Sequence, residues 1–183
     1  MTVTDEILAI FARRGAGAYF GESVSMTQHA LQAAHFAMGA DAAPPLIVAA
    51  LLHDIGHLVV DVPDDLEDWT EDARHEETGA KWLQERFAAA VFEPVRLHVP
   101  AKRYLCATDP RYASKLSPAS VVTLQLQGGP MSPAEIAGFE AERHHLDAVR
   151  VRRWDDLGKV EGLETLNLED YRGLIEELAG SGC

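Results

Sequence analysis

The chain has 183 residues, 47% hydrophobic and 25% charged, which are globular values that exclude a disordered or fibrous protein and predict a single domain over residues 1–183. Sixteen Lys and Arg against 29 Asp and Glu leave a formal charge of -13, so diffuse attraction to nucleic acid or an anionic membrane is disfavoured and an anionic substrate must meet a local positive site. Met1 to Glu6 lacks the basic segment and apolar core of a signal peptide, and no run approaches the ~18 uninterrupted apolar residues of a membrane span, so a cytoplasmic location is expected.

Helix signals recur along the chain and predict an all-α fold. Residues 4–14 form an amphipathic helix closed by Gly15 and Gly17. Ser25 and Gln28 make a capping box for a second helix that runs to about Met38. Pro44 and Pro45 open a third, whose apolar run Leu46 to Leu52 marks the buried centre and which ends near Asp54 to His57. Val59 to Val62 is the one stretch with strand-like alternation. After a polar loop with Pro63, Asp64 and Asp65, Thr70 caps a helix reaching about Phe87, and another covers Glu93 to about Tyr104 with Pro100 interrupting it. Ser117 and Pro118 open the next, which Gly128, Gly129 and Pro130 end. Ser132 and Glu135 form a second capping box, and helices over 143–156 and 168–178 complete the set. Cys106 and Cys183 read as free thiols by spacing. No linker, repeat or low-complexity segment divides the chain.

His53 and Asp54 resist a purely structural explanation, because an adjacent imidazole and carboxylate end the most apolar helix, where buried polar groups need partners. A metal satisfies both: imidazole nitrogen and carboxylate oxygen suit iron, manganese or zinc, and a carboxylate can bridge two ions. His29 lies among Ala30, Leu31, Ala33 and Ala34, His75 on the next helix, and His98 between Leu97 and Val99. Each comes from a different helix, and single ligands projecting inward from several helices are how bundles build dinuclear sites. An aspartate at 155 or 156 completes the set. His35, about 240° around its helix from His29, and His144 and His145 are expected at the surface.

The order His29, His53-Asp54, His75, His98 and then Asp155 or Asp156 resembles the HD-domain metalloproteins, over about residues 19–159. That order is shared by phosphohydrolases, cyclic-dinucleotide phosphodiesterases and mixed-valent diiron oxygenases. Three features are similar to the phosphonate-cleaving branch of the oxygenases: the segment Tyr19 to Ala34, in which a tyrosine and a glutamate lie over the iron site; His57, four residues after His53; and Arg152 to Lys159, in which the ligand aspartate follows an arginine by three and precedes a lysine by four. The last selects Asp155. The resemblance implies an HD-domain helical bundle with two iron ions, Fe(II) and Fe(III), on His29, His53, Asp54, His75, His98 and Asp155. It also implies dioxygen as co-substrate and Tyr19, Glu22 and His57 as the groups around the reacting atoms.

Lys102 lies four residues after His98, on the same face if Pro100 leaves the turn intact, and Arg152 three before Asp155. Both suit a phosphonate anchor, with Ser120 a weaker candidate. The expected reaction is oxidative cleavage of the C–P bond of a small anionic 1-hydroxyalkylphosphonate to inorganic phosphate and a carboxylic acid. A 2-amino or 2-trimethylammonio group would face Glu22, Tyr19 and Phe20. The rivals are a phosphohydrolase acting on a nucleotide or other phosphate ester, and an inactive module that binds a partner.

Overall fold

The computed structural model describes residues 2–19, 21–59 and 74–179. Phe20, residues 60–62 of the alternating stretch, the loop of Pro63, Asp64 and Asp65, the Thr70 cap and Cys183 lie outside them. Among the described residues there are eleven α-helices, one 3-10 turn and no strand. No helix among them is long and apolar enough to cross a membrane.

The first helix, α1 (Val3–Arg14), starts one residue earlier than its periodicity predicts, because Thr2 and Asp5 form a capping box. Ser25 and Gln28 form the predicted box at the head of α2 (Met26–Gly39). Pro44 and Pro45 occupy the first turn of α3 (Pro44–Leu52), where a missing N–H costs nothing. Leu46 and Val48 to Leu52 are buried, so α3 is the centre of the core and packs against α2 on one side. The chain turns at His53 to Ile55 into the short α4 (Gly56–Val59) and resumes with α5 (His75–Gln84).

The sixth helix, α6 (Ala89–Thr108), corrects the expectation of a break at Pro100: it runs through both Pro94 and Pro100 for 20 residues. An interior proline costs about 3 kcal/mol. Here Val91, Val95, Leu97, Val99, Ala101 and Leu105 are all buried along the same helix, and burial of about 1.5 to 3 kcal/mol per large side chain outweighs two such losses. A short α7 (Pro110–Ala113), capped by Asp109, follows. Then come α8 (Pro118–Leu126), α9 (Pro133–Glu140), which begins at the Ser132 capping box, and α10 (His145–Leu157). The 3-10 turn Leu168–Tyr171 leads into α11 (Arg172–Ala179), where one continuous helix is expected. The long α6 packs on α5, α10 and α3, and α10 also packs on α2. From these five helices come His29 on α2, His53 just after α3, His75 at the start of α5, His98 midway along α6 and Asp155 on α10.

Candidate metal centre

The end of α3 builds the centre of the site. Its last-turn carbonyls have no helical N–H left to accept from, and His53 Nδ1 lies 2.8 Å from the Ala50 carbonyl. His98 Nδ1 lies 2.7 Å from the Val95 carbonyl, and His29 Nδ1 2.8 Å from the Gly158 carbonyl. A carbonyl only accepts, so each of these nitrogens carries the ring proton and donates it. Nε2 of all three is thereby the nitrogen aimed inward, the one that offers its lone pair to a cation once the ring is neutral.

Asp54 stands between two groups of these nitrogens. Its Oδ2 is 3.6 Å from His29 Nε2 and 3.3 Å from His53 Nε2, whereas its Oδ1 is 3.3 Å from His75 Nε2 and 3.5 Å from His98 Nε2. Asp155 Oδ1 joins the first group, 3.4 Å from His29 Nε2 and 3.9 Å from His53 Nε2. Asp156 turns away from this centre, toward Tyr112 and Arg152.

The donor set fits a pair of metal ions. His29, His53 and Asp54 converge within 4.8 Å of one another, as do Asp54, His75 and His98. His29 and His53 bring their Nε2 atoms to 3.0 Å, and His75 and His98 theirs to 3.2 Å, a convergence of ring nitrogens that suits them as ligands of a cation. Asp54 Oδ2 and Asp155 Oδ1 are buried without a hydrogen-bond partner, a costly state unless a cation takes them. Burial works to raise both carboxyls, yet His53 beside Asp54 and Arg152 beside Asp155 hold them well below the usual carboxylate range. Burial opposes charge on His53 too, but the Asp54 carboxylate lifts it to about 9.

Two glycines allow the close approaches this geometry needs. A side chain on Gly56 would meet the His75 carbonyl at 2.0 Å, so its absence lets α4 abut the first residue of α5. One on Gly158 would meet both Nδ1 and the carbonyl of His29 at 3.1 Å. The segment after α10 is clamped to α2 a second time, because Gln32 Nε2 donates to the Val160 carbonyl at 2.7 Å and the Val160 N–H donates back to Gln32 Oε1 at 2.9 Å. Arg74, just before His75, takes a left-handed conformation with φ 45, a strained state for a residue with a side chain.

Tyr19 stacks on His29, with ring centroids 3.7 Å apart. Burial, then the Asp155 and Asp54 carboxylates, push its phenol well above the ordinary value. His57 stacks on His75 with centroids 4.0 Å apart, and burial, reinforced by the His75 charge, keeps it well below its ordinary value and neutral. Glu22 Oε1 faces Lys159 Nζ at 3.5 Å, and the same ammonium donates to Ser120 Oγ at 3.1 Å and Ser117 Oγ at 3.4 Å.

Because α6 is continuous, Lys102 does share a face with His98. It is 2% exposed, and its Nζ donates to Thr123 Oγ1 at 2.6 Å and Gln127 Oε1 at 3.1 Å. Burial brings this lysine down to about 7, helped by the Arg152 charge. Arg152 is less open to a ligand than its spacing suggests. Nη1 grips Asp155 Oδ2 at 2.7 Å, Nε donates to Tyr112 Oη at 2.9 Å, and Nη2 bonds Asp156.

Lys159, Thr123 and Gln127 are absent from the site residues expected from sequence. Ser120 and Thr123 on α8 and Gln127 at its C-cap, spaced three and then four residues apart and so on one face, carry the signal that finds the last two. Lys159 closes the motif that selects Asp155, but its contacts lie in distant segments. His35 is exposed; His144 and His145 are half-buried instead of exposed, because His145 sits against Phe139 and donates to the Glu142 carbonyl.

The model of the HD domain matches residues 26–157. Among characterised proteins, the chain is 48% identical over 159 residues to hydroxymethylphosphonate dioxygenase of Gimesia maris, covering 86% of this chain and 79% of that protein. It is 42% identical over 176 residues to [1-hydroxy-2-(trimethylamino)ethyl]phosphonate dioxygenase (glycine-betaine-forming) of Leisingera caerulea, covering 96% and 90%.

Proposed function

This chain belongs to the HD-domain family, and on that premise we propose that it is a dioxygenase cleaving the C–P bond of a small 1-hydroxyalkylphosphonate, with two iron ions held by His29, His53, Asp54, His75, His98 and Asp155. The observation that carries the reading is Asp54, whose two oxygens serve two separate histidine pairs beside a buried cationic cradle. Both relatives described above are named as dioxygenases of phosphonates with a hydroxyl on the carbon that bears phosphorus.

Two iron ions in this cluster would supply the redox chemistry with dioxygen that an unactivated C–H bond requires. The protein's own groups do the rest. Lys102, Ser120 and Lys159 hold the phosphonate oxygens, and Arg152 adds a remaining N–H while its other donors keep Asp155 in place. Tyr19 and Glu22 cover the His29 side and exclude water. His57, kept neutral, orders the substrate from the His75 side.

Glu22 favours hydroxymethylphosphonate over a substrate with a cationic tail, because Lys159 already neutralises the carboxylate that would receive that cation. With this substrate the products are formate and inorganic phosphate. The carbon keeps its hydroxyl oxygen and gains one from dioxygen, and phosphorus gains the other.

The test is an oxygen-electrode trace paired with phosphate release on iron-loaded protein. One dioxygen consumed per phosphate is expected. Phosphate released in strict absence of oxygen would assign the chain to the phosphohydrolases, the other reaction open to this ligand order.

A further inference from the structure

We propose that Tyr112 and Asp156 are positioning residues for the metal ligand Asp155, acting through Arg152, and that they set how tightly one half of the dinuclear centre holds its metal. The inference rests on the dinuclear reading above but concerns residues outside it.

A single guanidinium is shared between two carboxylates one residue apart on α10. Arg152 Nη1 holds Asp155 Oδ2 at 2.7 Å, which leaves Oδ1 as the one oxygen of Asp155 facing His29 and His53, and that oxygen has no hydrogen-bond partner in the protein. On its other edge Arg152 is tied to Asp156 through Nη2 and, at 3.1 Å, through Nε. Tyr112 fixes this second edge. Its hydroxyl donates to Asp156 Oδ2 at 2.6 Å and accepts from Arg152 Nε at 2.9 Å. Tyr112 is 8% exposed and Arg152 5%, so water does not readily replace these contacts.

The competition has a defined consequence. A guanidinium and a lone carboxylate prefer a two-pronged pairing through both oxygens. Asp156 satisfies one edge of Arg152 and so prevents it from chelating Asp155 through both. Were Asp156 neutral or loose, Arg152 would turn toward Asp155, and Oδ1 would be drawn from the metal side to the guanidinium. Only the half built from His29, His53 and Asp155 would feel this, because Asp54, His75 and His98 have no contact with Arg152 among the described hydrogen bonds and ion pairs.

The local fold is consistent with a dedicated part. The four-residue α7 turns back from the end of α6, and Arg153 Nη2 reaches Asp109 Oδ2, the cap of that turn, at 3.4 Å. Its one buried side chain is Tyr112. Burial pushes the phenol up, against the pull of Arg152, so it stays a donor throughout the ordinary pH range.

The experiment follows iron release to a ferrous chelator, by absorbance and without oxygen, from wild type, Tyr112→Phe, Asp156→Asn and Asp156→Glu, each loaded with Fe(II) alone. In Tyr112→Phe and Asp156→Asn one of the two ions should leave about tenfold faster or more, as for other supports of metal ligands. The second ion should leave at the wild-type rate, and Asp156→Glu should recover part of the loss. Release unchanged in both variants, or both ions accelerated alike, would overturn the inference; the second result is what general loosening produces. Wild type that holds fewer than two ions after loading would instead overturn the dinuclear reading, and this inference with it.

Discussion

Replacing Lys102 with Met should make the protein more stable and remove its hold on the phosphonate. Lys102 is 2% exposed, and its fall from 10.5 to about 7 corresponds to about 5 kcal/mol of destabilisation where both folded and unfolded chains are protonated, at about 1.4 kcal/mol per pH unit. Methionine fills most of the same volume without the charge. Thr123 and Gln127 each lose a donor, which costs about 1 kcal/mol apiece, so the net gain at pH 7 is about 2 to 3 kcal/mol, or a midpoint roughly 5 to 10 °C higher. The sign with pH is fixed. The folded chain releases this proton near 7 and the unfolded chain near 10.5, so the wild type regains stability as pH rises between the two. By pH 9 the advantage of Lys102→Met should have shrunk to about zero. Denaturant midpoints of both proteins at pH 7 and 9, with metal content matched, measure this, and phosphonate binding should weaken by about 1.5 to 3 kcal/mol in the same variant. A variant less stable than wild type at pH 7, or one that binds the phosphonate unchanged, would refute the reasoning.

Asp54→Ala should lose both metal ions and His75→Ala only one, read as iron per folded chain; two ions retained by Asp54→Ala would remove the bridging role. Metal loading near pH 7 should release a proton from His53, which sits at about 9 against the opposition of burial, and affinity should fall up to about tenfold per pH unit as pH drops below that value. Loading in weak buffer without acidification would contradict this. Gly158→Ala places a carbon 3.1 Å from His29 Nδ1 and should cost about 1 to 3 kcal/mol as well as lowering iron content, checked by thermal melts and metal analysis. Glu22→Ala and Lys159→Met each break the pair over the Tyr19 side, so the ferrous-ferric state should oxidise faster without substrate in stopped-flow; equal decay rates would exclude a covering role.

What was legible in the sequence is what local rules carry. Ser25 with Gln28, Ser132 with Glu135, and Pro44 with Pro45 announce their helix starts because caps are made within one turn. His53-Asp54 stands out because charge at the end of an apolar helix needs a reason. The helix around His98 was legible, but the continuity of α6 through Pro100 was not, since it depends on burial against α5 and α10 and not on local propensity. Tyr112 and Lys159 stayed hidden for the same cause: their partners are 40 and 39 residues away in sequence. Arg152 was found by its spacing to Asp155, but spacing alone does not reveal that Asp156 and Tyr112 also claim its donors.

The most direct test of the central claim is the fate of labelled dioxygen during turnover of hydroxymethylphosphonate by iron-loaded protein. The account predicts one labelled oxygen in phosphate and one in formate, since each fragment gains one oxygen when dioxygen divides between carbon and phosphorus. Phosphate whose one added oxygen comes from water, or phosphate formed at the same rate without dioxygen, would contradict it.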